Sequence, residues 1–327
     1  MTEVAILGGG PAGAAAAIAC RQAGLDTLLI EQRAEAAPDP DEAEESIAPD
    51  CVRLLRRLGI DCAASATPFA GIAVGADRRF FGGSVPVAGF HLRRSWLDDA
   101  LRRAAGAAGA ELRMGARLCS LERAGAARFR LVTDAGALAA RWVIDASGRR
   151  HWLARRFHLD RRRLSPPLIA WRDVVAERSH GDAFARFQPD AEGWVFLAEI
   201  TRRRIVRTRL RAAGSEAPAL DRQATAHNAS WCLIRPLAGA GWFLAGEAGG
   251  ALDPAAGSGI GFALRSGLAA GRAIAASIAE PGLAPVIAAR YDDGFTREIE
   301  AGAATLTDYY NRLGVRLLGH RHSTALP

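Results

Sequence analysis

A glycine-rich turn that follows an apolar run constrains this chain more than any other feature. The apolar run is residues 3–7, the turn is residues 8–13, and an alanine-rich segment over 14–23 follows, which Gly24 can end. Together with an apolar run over 27–30, this order predicts a strand, a helix and a second strand in one β-α-β unit. Glycines permit a tight turn, and the positive end of the helix attracts a pyrophosphate. An accidental glycine-rich turn is the alternative.

An acidic residue stands at the end of the second predicted strand. Glu31 lies 18 residues after Gly13, where a carboxylate can accept hydrogen bonds from both ribose hydroxyls and would repel a 2′-phosphate. The turn and this carboxylate together predict a bound dinucleotide. The predicted contacts in this unit are Gly8, Gly10, Pro11, Ala12, Gly13, Glu31, Gln32 and Arg33.

A second glycine-rich segment, more than two hundred residues later, favours FAD over NAD. Residues 241–248 are predicted as a strand that ends in an acidic residue, and residues 253–261 as a loop that leads into a helix. The amino terminus of that helix can face the N1–C2 edge of a flavin, where negative charge accumulates on reduction. Glu247 would hold the ribityl hydroxyls. The predicted contacts here are Gly246, Glu247, Pro254, Gly257, Gly259 and Ile260.

Three short motifs carry a family resemblance that covers nearly the whole chain. They are Arg94-Ser95-Trp96-Leu97-Asp98, Asp145-Ala146-Ser147-Gly148 and Gly246-Glu247. With them the chain resembles FAD-dependent monooxygenases of the glutathione-reductase-type fold, a group that includes aromatic hydroxylases, tryptophan halogenases and geranylgeranyl-reductase-like proteins. The resemblance implies noncovalent FAD and adds Arg94, Leu118 and Asp145 to the predicted contacts. Glu247 departs from the Asp of the family motif by one methylene group.

Further segments resemble a halogenase-related subset of this family. They are residues 45–49, residues 54–59 and the pair Tyr309-Tyr310, for which ordinary helix packing is the alternative. Some members of the subset hydroxylate a tryptophan of a partner polypeptide during tryptophylquinone biogenesis. The resemblance to halogenases implies a catalytic lysine and a W-x-W-x-I-P segment. This chain has no lysine, since all 42 of its lysine-or-arginine residues are arginine, and no two of its seven tryptophans stand two residues apart. Halogenation is therefore not expected.

The resemblance implies an oxidoreductase whose FAD is reduced by NAD(P)H as a transient donor. Oxygen would add at flavin C4a, and one oxygen atom would pass to an electron-rich aromatic ring. The expected substrate is an aromatic small molecule, or a tryptophan in a peptide or partner protein. A flavin-dependent reductase of the geranylgeranyl-reductase type and a non-catalytic FAD-binding maturation factor stay open as alternatives. No catalytic base is predicted.

The expected fold is α/β, with an FAD-binding Rossmann-like β-α-β domain, an inserted antiparallel β-sheet substrate domain and C-terminal helices. The FAD-binding domain is expected over residues 1–70, 92–160 and 235–280. The substrate domain is expected over 71–91 and 161–234, and the helical segment over 281–327.

The elements predicted outside the first unit follow from periodicity and turn residues. Helices are predicted at 53–58, 96–108, 258–278 and 283–318, and residues 34–45 as an acidic surface loop. Strands are predicted at 128–133, 137–144, 168–175, 183–187, 193–200, 205–210 and 242–245.

Arginine clusters make the predicted substrate domain basic, and the formal net charge of the chain is +7. The clustered arginines are residues 155–156, 161–163, 202–204, 207, 209 and 211. A solvated surface is the simpler interpretation, and a docking site for an acidic protein partner is the alternative. No nucleic-acid-binding module accompanies the charge, so no nucleic-acid partner is expected.

The remaining patterns predict a cytoplasmic protein without a metal. Five cysteines form no C-x-x-C pair, which favours reduced thiols. The histidines have no metal-ligand spacing: His91, His151, His158, His180 and His227. Neither a signal peptide nor an apolar run long enough to span a membrane is found in the sequence.

Overall fold

In the computed structural model, the described residues are 2–34, 44–63, 65–74, 89–125, 128–175, 184–201, 204–215 and 224–318. Their helices are α1 (Pro11–Gln22), α2 (Pro49–Arg57), α3 (Arg94–Ala107), α4 (Trp152–Arg156), α5 (Gly259–Ala279) and α6 (Ala284–Leu313). Their strands are β1 (Thr2–Leu7), β2 (Thr27–Glu31), β3 (Glu44–Ile47), β4 (Thr67–Phe69), β5 (Gly71–Val74), β6 (Gly89–Arg93), β7 (Glu111–Met114), β8 (Leu118–Arg123), β9 (Phe129–Thr133), β10 (Gly136–Asp145), β11 (Asp160–Arg163), β12 (Leu168–Val175), β13 (Phe184–Asp190), β14 (Gly193–Thr201), β15 (Arg204–Ala212), β16 (Thr225–Asn228), β17 (Cys232–Arg235), β18 (Ala238–Gly239), β19 (Trp242–Leu244) and β20 (Gly250–Ala251).

A parallel sheet forms the centre of the first layer, with strand order β19, β10, β1, β2 and β7. Strands buried on both faces are continuous apolar runs rather than alternating ones, and β2 is buried along its whole length. The predicted β-α-β unit is thus confirmed as β1, α1 and β2. The predicted hairpin is also confirmed, because β9 pairs antiparallel with β10.

Helix α1 packs closely against α5 because small residues line the contact. The alanines at positions 14–17 are fully buried. A Cβ added at Gly271 would lie 2.8 Å from the Ala16 carbonyl oxygen, and one added at Gly267 would overlap the Ala12 carbonyl. This close approach brings the amino-terminal halves of the two helices to the same end of the parallel sheet.

A second sheet has the strand order β16, β12, β15, β14, β13 and β5. The antiparallel strands predicted between residues 168 and 212 are confirmed. The edge strand β5 differs, since it pairs parallel with β13. It arrives from a distant part of the chain rather than through a hairpin, so no tight turn fixes its direction. The α/β class with C-terminal helices is confirmed, while the domain boundaries stay a prediction.

The predicted surface loop over residues 34–45 is wrong at its carboxyl end. Glu44 and Glu45 begin β3, which pairs antiparallel with β6, and Glu44 is only 7% exposed. Their charges are compensated by arginines that are distant in sequence: Arg204 lies 3.8 Å from Glu44, and Arg94 lies 3.4 Å from Glu45. Residues 35–43 of this loop lie outside the described residues.

A second hydrophobic cluster packs α6 and the chain after it against the second sheet. We call this cluster the second-sheet core; its buried members are Leu168, Ala170, Phe187, Trp194, Leu210, Ala229, Trp231, Leu306, Tyr310, Val315 and Leu317. The larger cluster surrounds the parallel sheet. Among the helices described, none is long and apolar enough to cross a membrane.

Candidate functional site

The glycine-rich turn between β1 and α1 is shaped by two close backbone approaches. Gly8 has φ +103°, and a Cβ added to it would lie 2.5 Å from the carbonyl oxygen of Ala146. A Cβ added to Gly13 would overlap the carbonyl oxygen of Gly8. Both positions therefore require glycine. Above Gly10 the space is open apart from the Arg94 guanidinium, 3.8 Å from the place of an added Cβ.

The amino terminus of α1 has the properties of an anion site. The helix begins at Pro11 without a side-chain cap, and its first turn contains no acidic residue. Backbone N–H groups of a first helical turn have no partner within the helix, and they point toward its positive end. An anion with several oxygens, such as a pyrophosphate, fits this end of the helix.

Arg94 is held beside the turn by two carboxylates. Its Nε donates to Oδ1 of Asp98 at 2.9 Å, and its Nη1 donates to Oε1 of Glu45 at 3.4 Å. Burial alone would lower the pKa of Arg94, but the two carboxylates more than offset this and hold its pKa above the ordinary value. Arg94 therefore keeps its charge next to Gly10, as a phosphate contact requires.

Glu31 is fixed at the carboxyl end of β2 by two backbone donors. Its Oε2 accepts from the Gly9 N–H at 2.7 Å, and its Oε1 accepts from the Arg33 N–H at 2.8 Å. The side chain is 8% exposed, whereas Gln32 and Arg33 beside it are exposed. The carboxylate is thus oriented at the edge of the turn, and its contact with a ribose stays a prediction.

The second glycine-rich segment meets the first at the same end of the sheet. After β19, Gly246 has φ +61°, and a Cβ there would lie 2.9 Å from the Cβ of Ala12. The N–H of Gly246 donates to the Ser266 hydroxyl at 2.9 Å. The next side chain, Glu247, is half exposed and lies 3.2 Å from Arg149. A short turn, Pro254–Ala256, and the start of α5 follow, so both motifs border one site.

A match to a known family decides which ligand this site binds. The profile described as FAD binding domain matches residues 1–197, more than half of the chain. The chain belongs to the FAD-binding domain family. The geometry of the site also fits FAD. The open space above Gly10, the uncapped start of α1 and the charged Arg94 suit a pyrophosphate.

A relative of known activity matches part of this FAD-binding chain. A digeranylgeranylglycerophospholipid reductase of Methanosarcina mazei is 35% identical over 127 residues, which are 36% of this chain and 30% of the reductase. The match therefore spans less than a third of that enzyme.

Solved structures share the fold of this chain. The peptidyl tryptophan dihydroxylase QhpG, essential for tryptophylquinone cofactor biogenesis, has a TM-score of 0.77 and 23% identity, with coverage of 97% of this chain and 77% of QhpG. The flavin-dependent brominase Bmp2 has a TM-score of 0.72 and 21% identity, with coverage of 97% and 94%. At these identities the likeness establishes the fold alone.

Most of the predicted FAD contacts converge on this site. Around Glu247 and the start of α5, Pro254, Gly257 and Gly259 are exposed and Ile260 is half-buried. Two predicted contacts lie deeper: Leu118 is buried in the core and Asp145 is fully buried. Their contact with FAD stays a prediction, as do the individual contacts of the other residues.

Asp145 shapes the backbone that surrounds the glycine-rich turn. Its Oδ1 accepts from the Ser147 N–H at 2.9 Å, and its Oδ2 accepts from the Leu153 N–H at 2.7 Å. Burial raises the pKa of Asp145, while these hydrogen bonds act in the opposite direction. Ala146, which Gly8 approaches closely, is the next residue, so Asp145 fixes one wall of the turn.

A buried hydrogen-bond network beside the site was not predicted from the sequence. Oδ2 of Asp253 accepts from the Trp231 indole at 2.7 Å and from the Tyr310 hydroxyl at 2.7 Å. The Tyr310 oxygen accepts in turn from the Trp194 indole at 2.7 Å. Oδ1 of Asp253 accepts from the Ala255 N–H at 2.9 Å. The network ties the turn before α5 to the second sheet and to α6.

Three of the histidines occupy structural or peripheral positions, while His180 lies outside the described residues. His91 is 2% exposed, stacks on Phe69 at 4.4 Å between ring centroids and lies 2.8 Å from the Ser46 hydroxyl. His151 is buried, with its Nδ1 3.1 Å from the Ala248 carbonyl oxygen. His227 is exposed on β16. In the part of the chain that the structure describes, no cluster of His, Cys, Asp and Glu could hold a metal ion.

Some arginines of the basic clusters pair with carboxylates within the chain. Arg207 pairs with the buried Asp173, Arg211 lies 2.8 Å from Asp190, and Arg162 lies 3.0 Å from Glu300. These partners reduce the charge that a docking protein could use. Residues 202–203 lie outside the described residues, and an acidic partner stays a prediction.

Proposed function

We propose that this chain is an FAD-dependent monooxygenase that takes electrons from NAD(P)H and hydroxylates an aromatic substrate. One contact carries the proposal: the turn Pro254–Ala256, which leads into α5, packs through Ala255 and Ala256 against the second-sheet core. A flavin held at the start of α5 would therefore lie beside the second sheet. A substrate bound on that sheet would reach the flavin.

The chain offers a binding group for each part of the cofactor. FAD supplies the redox and oxygen chemistry when it is bound. The start of α1 and Arg94 would hold the pyrophosphate, and Glu31 would hold the ribose. Glu247 would hold the ribityl hydroxyls, one methylene further from the backbone than an aspartate. The first turn of α5 contains no acidic residue, so its positive end would stabilise negative charge on the flavin.

Aromatic residues in the second-sheet core and packed against it favour an aromatic substrate. Phe187 lies 5.3 Å from Trp194 and 5.8 Å from Tyr309, measured between ring centroids. Phe196, on the same sheet face, is only partly buried against this group. Phe187 and Trp194 are themselves buried, so an indole or phenol ring would pack against the exposed part of Phe196, with favourable edge and face contacts. A tryptophan in a peptide, as in the substrate named for QhpG, is one candidate.

Isotope labelling tests the monooxygenase proposal. The full chain with bound FAD is mixed with NADH or NADPH, a set of indoles, phenols and tryptophan-containing peptides, and labelled molecular oxygen. We expect one substrate class to accelerate NAD(P)H oxidation and to gain one labelled oxygen atom. Formation of hydrogen peroxide alone with every compound would overturn the proposal. The Thr307→Val variant, which loses a hydroxyl bonded only within α6, serves as the matched active control.

A flavin-dependent reductase is the second candidate, because the reductase of Methanosarcina mazei is 35% identical over the aligned part. Reduction of an isoprenoid double bond by the chemically reduced protein under anaerobic conditions would favour this candidate. If the protein holds FAD yet neither oxygenates nor reduces any compound offered, a non-catalytic maturation factor becomes the better interpretation.

A further inference from the structure

Arg172 lies on the face of the second sheet that carries the second-sheet core. Residues two apart on a strand share a face, and Leu168 and Ala170 on β12 belong to that core. Arg172 continues the same row. Its register partners are Thr208 on β15 and Thr225 on β16, and Thr208 is buried. A guanidinium therefore stands where the apolar row ends.

Among the described residues, no acceptor is found for the Nε of Arg172. Its Nε is buried and makes no hydrogen bond, and no ion pair joins Arg172 to another residue of the described ranges. Arginines on the opposite face of the sheet are paired: Arg186 lies 3.2 Å from Glu199, Arg211 lies 2.8 Å from Asp190, and Arg207 contacts Asp173. Leaving a buried donor without an acceptor costs free energy, so the position suits a ligand.

Electrostatic coupling joins this sheet face to the FAD site. The pKa of His227 is lowered, first by partial desolvation of the imidazole although the residue as a whole is exposed, and then by the charge of Arg172, whereas Glu45 and Glu247 act to raise it. Arg172 thus shares one electrostatic environment with carboxylates that border the cofactor site. Those carboxylates are already engaged, because Glu45 lies 3.4 Å from Arg94 and Glu247 lies 3.2 Å from Arg149. Neither carboxylate forms an ion pair with Arg172.

We propose that Arg172 binds a carboxylate of the aromatic substrate and so determines specificity. The inference rests on the proposed function, because it requires a substrate between the second sheet and the FAD site. A planar guanidinium can bind both oxygens of a carboxylate, and the pair is stronger where water is excluded. The carboxylate can belong to a free aromatic acid or to a peptide that contains the aromatic residue.

Calorimetric binding of paired probes tests this role without measuring turnover. The FAD-loaded protein is titrated with benzoate, indole-3-acetate and N-acetyltryptophan and with the corresponding amides, then with tryptophan peptides that differ only in Asp against Asn next to the tryptophan. We expect at least one acid to bind about tenfold more tightly than its amide. Preference within the peptide pair alone would assign the carboxylate to a peptide, and preference among the small acids to a free molecule.

Variants separate recognition by Arg172 from general effects of charge. Arg172→Met should remove the preference for the acid and leave the affinity for the amide unchanged, while Arg172→Lys should keep part of it. Arg211→Met, on the opposite face, should keep all of it. The inference is overturned if no acid is preferred, or if Arg172→Met keeps the preference. It is also overturned if that variant chiefly weakens FAD binding, since Arg172 would then serve the cofactor.

The two proposals can fail separately. Absence of labelled oxygen in the product, with acid preference intact, would contradict only the monooxygenase proposal. Oxygen incorporation with equal binding of acids and amides would contradict only the role of Arg172.

Discussion

Tyr310 donates its hydroxyl hydrogen to Oδ2 of Asp253 at 2.7 Å, across 57 residues of sequence. Both residues are buried, and the Asp253 side chain stands directly before the turn Pro254–Ala256. Burial raises the pKa of Asp253, while the hydrogen bonds from Tyr310 and Trp231 act against that increase. The position of the turn beside the predicted flavin thus depends on a helix more than fifty residues further along the chain.

Tyr310→Phe should destabilise the protein and weaken FAD binding together. Removing the hydroxyl leaves the Trp194 indole without its acceptor and Asp253 with one donor fewer, which should cost about 1–3 kcal/mol in the free energy of unfolding. Urea unfolding and FAD titration measure the two effects. Thr307→Val removes a hydroxyl from the same helix without touching Asp253 and should change neither.

A double-mutant cycle checks that the effect passes through Asp253. Tyr310→Phe and Asp253→Asn should be coupled by about 0.5–3 kcal/mol, because residues in one hydrogen-bond network are not additive. Additive losses would show that Tyr310 acts on the turn by packing alone.

The local parts of the fold could be predicted because their determinants are close together in sequence. The turn from Gly8 to Gly13 needs glycines because the backbone approaches itself closely in the β1–α1 connection. The run of small and apolar residues over 258–278 predicts α5 to within one residue at each end. Helix α2 begins at Pro49, four residues before the predicted start, because Pro at the first helical position is a start signal that the apolar pattern does not contain.

The parts that could not be predicted depend on residues that meet only in the folded chain. The acidic surroundings of Glu44 predict a loop, but Arg204 compensates its charge in the folded state. The Asp253 network needs donors from Trp231 and Tyr310 that no local pattern connects. Arg172 has no distinguishing signal in the sequence, because the burial of its Nε is visible only in three dimensions.

Glu31→Gln should weaken FAD binding by about tenfold or more, since charged acceptors make the stronger hydrogen bonds. In the wild type, the backbone N–H groups of Gly9 and Arg33 both donate to the Glu31 carboxylate. The glutamine has no negative charge, and its NH₂ group would face one of these two donors. Fluorescence titration of FAD into apoprotein measures the change. Glu3→Gln is the matched control, because Glu3 also accepts a backbone N–H, from Asp26, at the opposite end of β1. Equal effects of both substitutions would indicate a general loss of stability.

Gly267→Ala and Gly294→Ala should have opposite effects, although both glycines lie inside helices. A Cβ at Gly267 would overlap the Ala12 carbonyl, forcing α5 away from α1 at a typical cost of about 1–3 kcal/mol. A Cβ at Gly294 would meet open space, so the better helix propensity of alanine should stabilise α6 by up to about 1 kcal/mol. Thermal unfolding with and without FAD measures both. If Gly267→Ala leaves the stability unchanged, α5 can move away from α1 at little cost in free energy.

His91 should make the protein lose stability as the pH falls through the weakly acidic range. Burial lowers the pKa of His91 to about 4, against an ordinary value of 6.5, although Glu199 acts to raise it. Below pH 6.5 His91 is therefore protonated in the unfolded chain, whereas in the folded chain it is protonated only below about pH 4. Stability that is fully present above pH 6.5 is lost across this window, by about 3 kcal/mol at most. His91→Asn cannot titrate there, and urea unfolding at several pH values should show a shallower decline for this variant than for the wild type. Parallel declines would mean that His91 takes up its proton in the folded state near its ordinary pKa, and that its stack on Phe69 leaves it open to water.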